Sequence, residues 1–217
     1  MTTNNISNIH HTTPNNKIMM SNIAENPDLL NNLINECSYI QECTSNKKRD
    51  PTSMAYLIDR DMSQSDCVKF GHGVENVIGD MGKKHTTLKW IRPPNKKGKK
   101  EKDHLFEDEI NKIIYYSECK TNLNLDTEKH KSTYEKCLQI CEELGLGNDY
   151  KIVWCLLGAR YIHSDEMPSK ITKKYVCIKD HLFGINQYLK MLGVSCEFTK
   201  ETYRKFLNDV ANAMFDD

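Results

Sequence analysis

Between Lys112 and Gly158 the chain alternates in a way that few folds accommodate. Lys112-Ile113-Ile114-Tyr115-Tyr116-Ser117-Glu118-Cys119-Lys120 is rich in β-branched and aromatic residues, and Ile152-Val153-Trp154-Cys155-Leu156-Leu157-Gly158 is almost wholly apolar. Between them Tyr134, Cys137, Leu138, Cys141 and Leu144 recur at helical spacing, with Asp126 placed as N-cap and Gly145 as the closing residue. Strand, helix and strand of these lengths form a parallel crossover unit, whose strands are covered on both faces. The chain is therefore expected to be α/β (α+β), with a mixed central sheet flanked by helices.

The remaining segments attach to that unit. Residues 1–25 are polar and aperiodic and are expected to form a disordered tail; 26–62 form an N-terminal helical segment. Within it, Leu29, Leu30, Leu33, Ile34, Cys37 and Ile40 predict a helix over 28–43, started by Asn26-Pro27-Asp28, and 54–60 suit a short helix. Residues 63–162 make the core, opening with a helix from Ser65 to Met81 on which Val74, Val77, Ile78 and Met81 share a face. Strands are expected at about 85–92, 103–107 and 112–120, the last two joined as a hairpin through Asp108-Glu109-Ile110-Asn111. The core order is thus α-β-β-β-α-β. Residues 163–217 form a C-terminal helical segment packed on the core, with helices over 179–192 and 199–215. In the second, Thr199 is the cap and Tyr203, Phe206, Leu207, Val210, Ala213 and Met214 are the buried stripe.

A length of 217 residues suits one domain, or one with an appended helical part. The hydrophobic share of 38% allows a real core with polar segments outside it. The longest apolar run, Ile152 to Ala159, is far short of the ~20 residues that cross a bilayer, so no membrane span is expected. Met1 to Met20 lack the apolar stretch of a secretory signal, which points to a reducing compartment. Nine cysteines, an odd number with no C-x-x-C pair, are then free thiols rather than a disulfide frame, and no His/Cys quartet for zinc can be assembled.

Thirty Lys+Arg against 30 Asp+Glu give a net charge of zero, but the charges are unevenly placed. Residues 83–102 carry nine basic residues and only Glu101 as an acid, a local +8. Its lysines Lys96, Lys97, Lys99 and Lys100 surround turn signals at Pro93-Pro94-Asn95 and Gly98. Such a loop either faces water or neutralises phosphates, each contact releasing a counter-ion.

Directly downstream lie Lys102-Asp103-His104-Leu105-Phe106 and then Glu118-Cys119-Lys120. In a strand, residues i and i+2 point the same way, so Glu118 and Lys120 stand side by side, and Asp103 on the hairpin partner can reach them. Two carboxylates and an amine at one strand end make an oxygen-ligand site for Mg²⁺ beside a positive group. This pattern resembles the PD-(D/E)xK nuclease superfamily, which includes most type II restriction endonucleases. The resemblance spans about residues 65–158 and includes the α-β-β-β-α-β order, with the Asp opening the second strand and E-x-K on the third. It implies that Asp103 and Glu118 hold the metal, that Lys120 orients or deprotonates the attacking water, and that Glu75, on the first core helix, lies close to the metal. Two departures stand: Lys102 occupies the place of the family's Pro, and Glu107, Asp108 and Glu109 are rival acidic ligands. A second pattern of this kind, Asp149-Tyr150-Lys151, lacks an acidic hairpin strand before it and reads as a chance match.

What the resemblance implies is a type II restriction endonuclease with a restriction-endonuclease-like fold. It would use Mg²⁺ to hydrolyse double-stranded DNA at a short sequence, leaving 5′-phosphates, and would work as a homodimer clasped by the extra terminal helices. Alternatives are a repair nickase or a Holliday-junction resolvase of the same superfamily, or a non-catalytic DNA-binding or virion protein. Asn122 and Asn124, leaving the E-x-K strand, are candidate DNA contacts or plain loop polars. His104 reads as a hydrogen-bonded strand histidine, His72 as a residue at a helix bend, Tyr115 and Tyr116 as strand packing on opposite faces, and Phe70, Trp90 and Trp154 as core. The Asn- and Lys-heavy vocabulary hints at an AT-rich genome, bacterial or that of a large DNA virus, and with the reducing compartment a cytoplasmic setting, in a bacterium or the host of such a virus, is expected.

Overall fold

The computed structural model describes residues 22–45, 64–91, 102–120, 123, 127–147, 149–169, 173 and 176–215. Helices are α1 Pro27–Glu36, α2 Ser38–Ser45, α3 Gln64–His85, α4 Thr127–Gly145, α5 Ile185–Met191 and α6 Lys200–Phe215. Strands are β1 Lys89–Trp90, β2 His104–Asp108, β3 Ile113–Lys120, β4 Lys151–Gly158 and β5 Leu182–Phe183. From α3 to β4 the order is α-β-β-β-α-β, as the sequence predicts. The 54–60 helix, Lys96, Lys97, Lys99, Lys100, Asn122, Asn124 and Asp126 lie outside the described residues, as does the tail up to 21.

The sheet runs β1-β2-β3-β4-β5, antiparallel on its first two pairings and parallel on the last two. In the hairpin, His104 faces Ser117 and Asp108 faces Ile113. Its turn is held by Asp108, whose Oδ1 accepts the Ile110 and Asn111 amides at 3.1 and 2.9 Å. The crossover through α4 sets Ile113 beside Lys151 and Lys120 beside Gly158, so the E-x-K end of β3 meets the apolar end of β4. Tyr115 and Tyr116 fall on opposite faces, the first packing with the α3 and α6 layer and the second with α4.

Four local expectations are corrected. Residues 22–25 do not belong to a tail: Ile23 and Ala24 are buried in a short 3₁₀ turn, and Asn22 Oδ1 accepts the Glu197 amide at 3.1 Å. The helix over 28–43 is two helices, because Cys37 takes an extended conformation (φ −67°, ψ 116°) and redirects the chain so that Ile40 reaches Gly73 of α3. The first strand shrinks to Lys89–Trp90, while α3 extends to His85. In place of a helix over 179–192 there is a 3₁₀ turn Val176–His181, then β5 paired to β4, then α5. Gly184 is the reason: a Cβ there would run into the Ile162 backbone, and the Ile185 amide bonds Tyr161 O at 2.9 Å. Gly145 is the last residue of α4, as the sequence predicts, and the left-handed glycine beyond it is Gly147 (φ 71°).

On α6, Thr199 Oγ1 accepts the Thr202 amide at 3.2 Å, and Tyr203, Phe206, Leu207, Val210 and Met214 are buried, joined by Ala211 and Phe215, with Ala213 at the margin. Cys37, Cys43, Cys67, Cys119, Cys137, Cys141, Cys155 and Cys196 are thiols rather than disulfide partners. Among those residues no helix is long and apolar enough to cross a membrane.

Candidate active site

The antiparallel register of β2 and β3 decides where the acidic residues meet. Because His104 faces Ser117, Asp103 stands one step beyond, next to Glu118, and its Oδ2 accepts the Cys119 amide at 2.7 Å. Lys120 Nζ donates to Glu118 Oε1 at 2.6 Å and to Cys119 O at 3.1 Å, and lies 4.0 Å from Asp103 Oδ2. The three residues singled out from the sequence therefore share one strand end. Glu107, Asp108 and Glu109 sit at the opposite end: Lys89 pairs with Glu107 at 3.5 Å and Glu109 at 2.5 Å, and Asp108 holds the turn. Asp149-Tyr150-Lys151 is also at that far end, where Lys112 Nζ donates to Tyr150 Oη at 3.4 Å.

Glu118 is 1% exposed. A buried carboxylate must be paired, and here Lys120, Lys136 and Tyr116 do it. Tyr116 Oη donates to Oε2 at 3.0 Å, and Lys136 Nζ of α4 donates to Oε1 and Oε2 at 2.8 and 2.7 Å. Burial is the largest influence on Glu118 and acts upward, but Lys120 and Lys136 together outweigh it and hold the carboxyl below its ordinary range. Burial likewise acts to lower Lys120, yet Glu118 and then Asp103 raise it, so its amine is a donor. Asp103 is pushed up to about 6, first by burial and then by Glu118.

Glu75 enters from α3. Burial first, and Asp103 second, push it up to about 8, which places its carboxyl within electrostatic reach of the strand pair. Its main chain is fastened to β2: His104 Nε2 bonds Glu75 O at 2.9 Å, while His104 Nδ1 accepts from Tyr188 Oη at 2.9 Å and Ser117 Oγ at 3.2 Å. Burial lowers His104 to about 4, so the ring is neutral and its Nε2 carries the hydrogen. His104 is thus the hydrogen-bonded strand histidine that the sequence suggests. At His72, α3 continues unbroken, and the His72 Nδ1 lies 3.8 Å from Glu75 Oε2. Glu75, Asp103 and His104 line a cleft of about 180 Å³ together with Asn76, Asp80 and Trp90.

Lys136 is the residue that sequence reasoning missed. In the structure Thr133 and Ile140, three before and four after it, are both buried, so this lysine stands on the sheet-facing side of α4. Phe70 and Trp154 are core, Trp154 stacking on His181 with centroids 4.2 Å apart, and Trp90 is half-buried against Phe106. Among the described residues no group of three His, Cys, Asp or Glu side chains is already arranged to hold a metal ion. Comparison with known proteins finds no matching family model, no matching curated protein and no matching solved structure.

Proposed function

We propose that the chain is a Mg²⁺-dependent endonuclease of the PD-(D/E)xK kind, with a restriction-endonuclease-like fold, that cuts double-stranded DNA at a short sequence. One observation carries the reading. Asp103, immediately before β2, and Glu118 of the antiparallel β3 come together, with the Lys120 ammonium beside both.

The donor set suits a hard dication. Asp103, Glu118 and Glu75 offer carboxylate oxygens, and the upward push on Asp103 and Glu75 is what negative groups crowded in a poorly solvated space produce. Asp103 and Glu118 would hold Mg²⁺, with Glu75 assisting through water. The ion would polarise the scissile phosphate and lower the pKa of the attacking water. Lys120 has a positioning part. As a charged donor fixed to Glu118 and Cys119 O, it orients the water for in-line attack and faces the charge that builds on the phosphate. The 3′ oxygen departs and a 5′-phosphate remains. One site per chain cuts one strand, so a double-strand break needs a twofold homodimer on a palindromic sequence. The lysines 96, 97, 99 and 100, with Asn122 and Asn124, are the proposed backbone and base contacts, and the cytoplasm of a bacterium or of a virus-infected host is the proposed setting.

The test is a digest of a sequenced, unmethylated plasmid with Mg²⁺, using the wild type, Glu118→Ala and Lys120→Ala. Discrete fragments from the wild type, reduced at least ~100-fold in both variants, are expected. Equal degradation by all three would refute the assignment. A preference for branched over linear duplex would move the reading to a resolvase.

A further inference from the structure

An ionised carboxylate has about four acceptor positions, and Glu118 has none to spare. Lys120 takes one on Oε1, Tyr116 one on Oε2, and Lys136 one on each oxygen. Any cation that is to bind Glu118 must displace a donor. Tyr116 is fully buried and its hydroxyl is fixed by the strand that carries it. Lys120 is anchored a second time, on Cys119 O, and lies next to Asp103. Lys136 reaches in from α4 and, though less exposed than Lys120 (22% against 31%), has both its hydrogen bonds among the described residues on Glu118 and no second anchor there.

We propose that Lys136 is a displaceable counter-ion of Glu118: its ammonium occupies the carboxylate in the resting protein, yields it to a divalent cation, and turns to a DNA phosphate. The inference rests on the endonuclease reading for the phosphate, but the competition for Glu118 rests on geometry alone. An ammonium on a flexible four-carbon stem can leave without moving the helix that bears it. A nearby phosphate offers it another anion, so DNA lowers the cost of opening Glu118 to the cation. By linkage the cation must raise DNA affinity by the same factor. The protein would then bind the cation more tightly on DNA than off it.

The experiment uses the full chain, stripped of metal, titrated calorimetrically with Mn²⁺ alone, without DNA. Lys136→Gln is expected to bind Mn²⁺ about tenfold more tightly than wild type, Lys136→Arg to bind like wild type, and Glu118→Gln to bind more weakly than either. Thermal unfolding gives a second readout: Mn²⁺ should raise the midpoint of Lys136→Gln more than that of the wild type. Should the Gln variant fail to fold, Lys136→Met keeps the aliphatic stem and serves in its place. Binding by the variant but not by the wild type supports the competition. Equal affinities, or no binding by either, overturn it. If instead Mn²⁺ binding tightens while no protein cuts DNA under any condition, the competition stands and the endonuclease reading is what fails.

Discussion

On one face of the sheet α1, α2, α3, α5 and α6 build a continuous buried layer running from Ile23 to Phe215; on the other, α4 covers a smaller group around Tyr116, Ile140 and Leu156. The candidate site draws on both. The thick side supplies Glu75 and the neutral chain Tyr188–His104–Glu75 O, in which every partner is hydrogen-bonded and uncharged. The thin side supplies Tyr116, Lys136 and the charged heart of the cluster, Glu118. A thick apolar layer holds geometry, because a group within it has nowhere to go. A single amphipathic helix can hold a charge that still reaches water.

If that division is right, truncations of equally buried side chains should differ across the sheet. Phe206 and Ile140 are each 1% exposed, yet Phe206 lies among other aromatic rings within the thick layer. Phe206→Ala is expected to cost about 3–5 kcal/mol and Ile140→Ala about 2–3 kcal/mol by urea unfolding, since the edge beside α4 can partly collapse or admit water. An Ile140→Ala loss as large as that of Phe206→Ala would show that α4 is as tightly enclosed as α6, and would break the comparison.

A finer contrast uses two hydroxyls. Tyr116→Phe keeps the ring and removes a donor to a carboxylate, whereas Tyr188→Phe removes a donor to a neutral imidazole. Hydrogen bonds to charged groups are the stronger ones, so the first should cost about 2 kcal/mol and the second about 1 kcal/mol in denaturant unfolding. Equal losses would mean that Lys120 and Lys136 satisfy Glu118 without the hydroxyl.

How much of this was visible in the sequence follows the same physics. The hairpin, the crossover and the Asp103–Glu118–Lys120 convergence were legible because period-two alternation and a fixed register leave little freedom once one face is apolar. The break at Cys37 was not, because the apolar spacing of Leu33, Ile34, Cys37 and Ile40 runs straight through it and only tertiary packing bends the chain. β5 was hidden for a related reason. Two residues of strand flanked by helical spacing carry no period of their own, and Gly184, the sole marker, is explained only by the Ile162 backbone across from it. Lys136 escaped because a lysine beside an apolar stripe reads as a solvated edge until Glu118 is known to lie beneath it.

The smallest expected effects test how firmly the thick side grips His104. Gly79 of α3 and Gly145 of α4 are both helical glycines, and alanine should favour each helix by up to about 1 kcal/mol. At Gly145 an added Cβ meets nothing within 4 Å, so Gly145→Ala should stabilise by about 0.5 kcal/mol, the lower value reflecting its place at the helix end. At Gly79 the Cβ would stand 3.2 Å from His104 Nε2 and 3.3 Å from its Cδ2, closer than a comfortable contact. His104 is tied on both nitrogens, to Glu75 O, Ser117 and Tyr188, so it can retreat only by loosening one of them. The propensity gain is then offset, and Gly79→Ala should change stability by about zero, within ~0.5 kcal/mol, in matched thermal unfolding. A gain equal to that at Gly145 would show that the imidazole shifts freely, and that Asp103, its neighbour just before β2, owes its position to the sheet register alone.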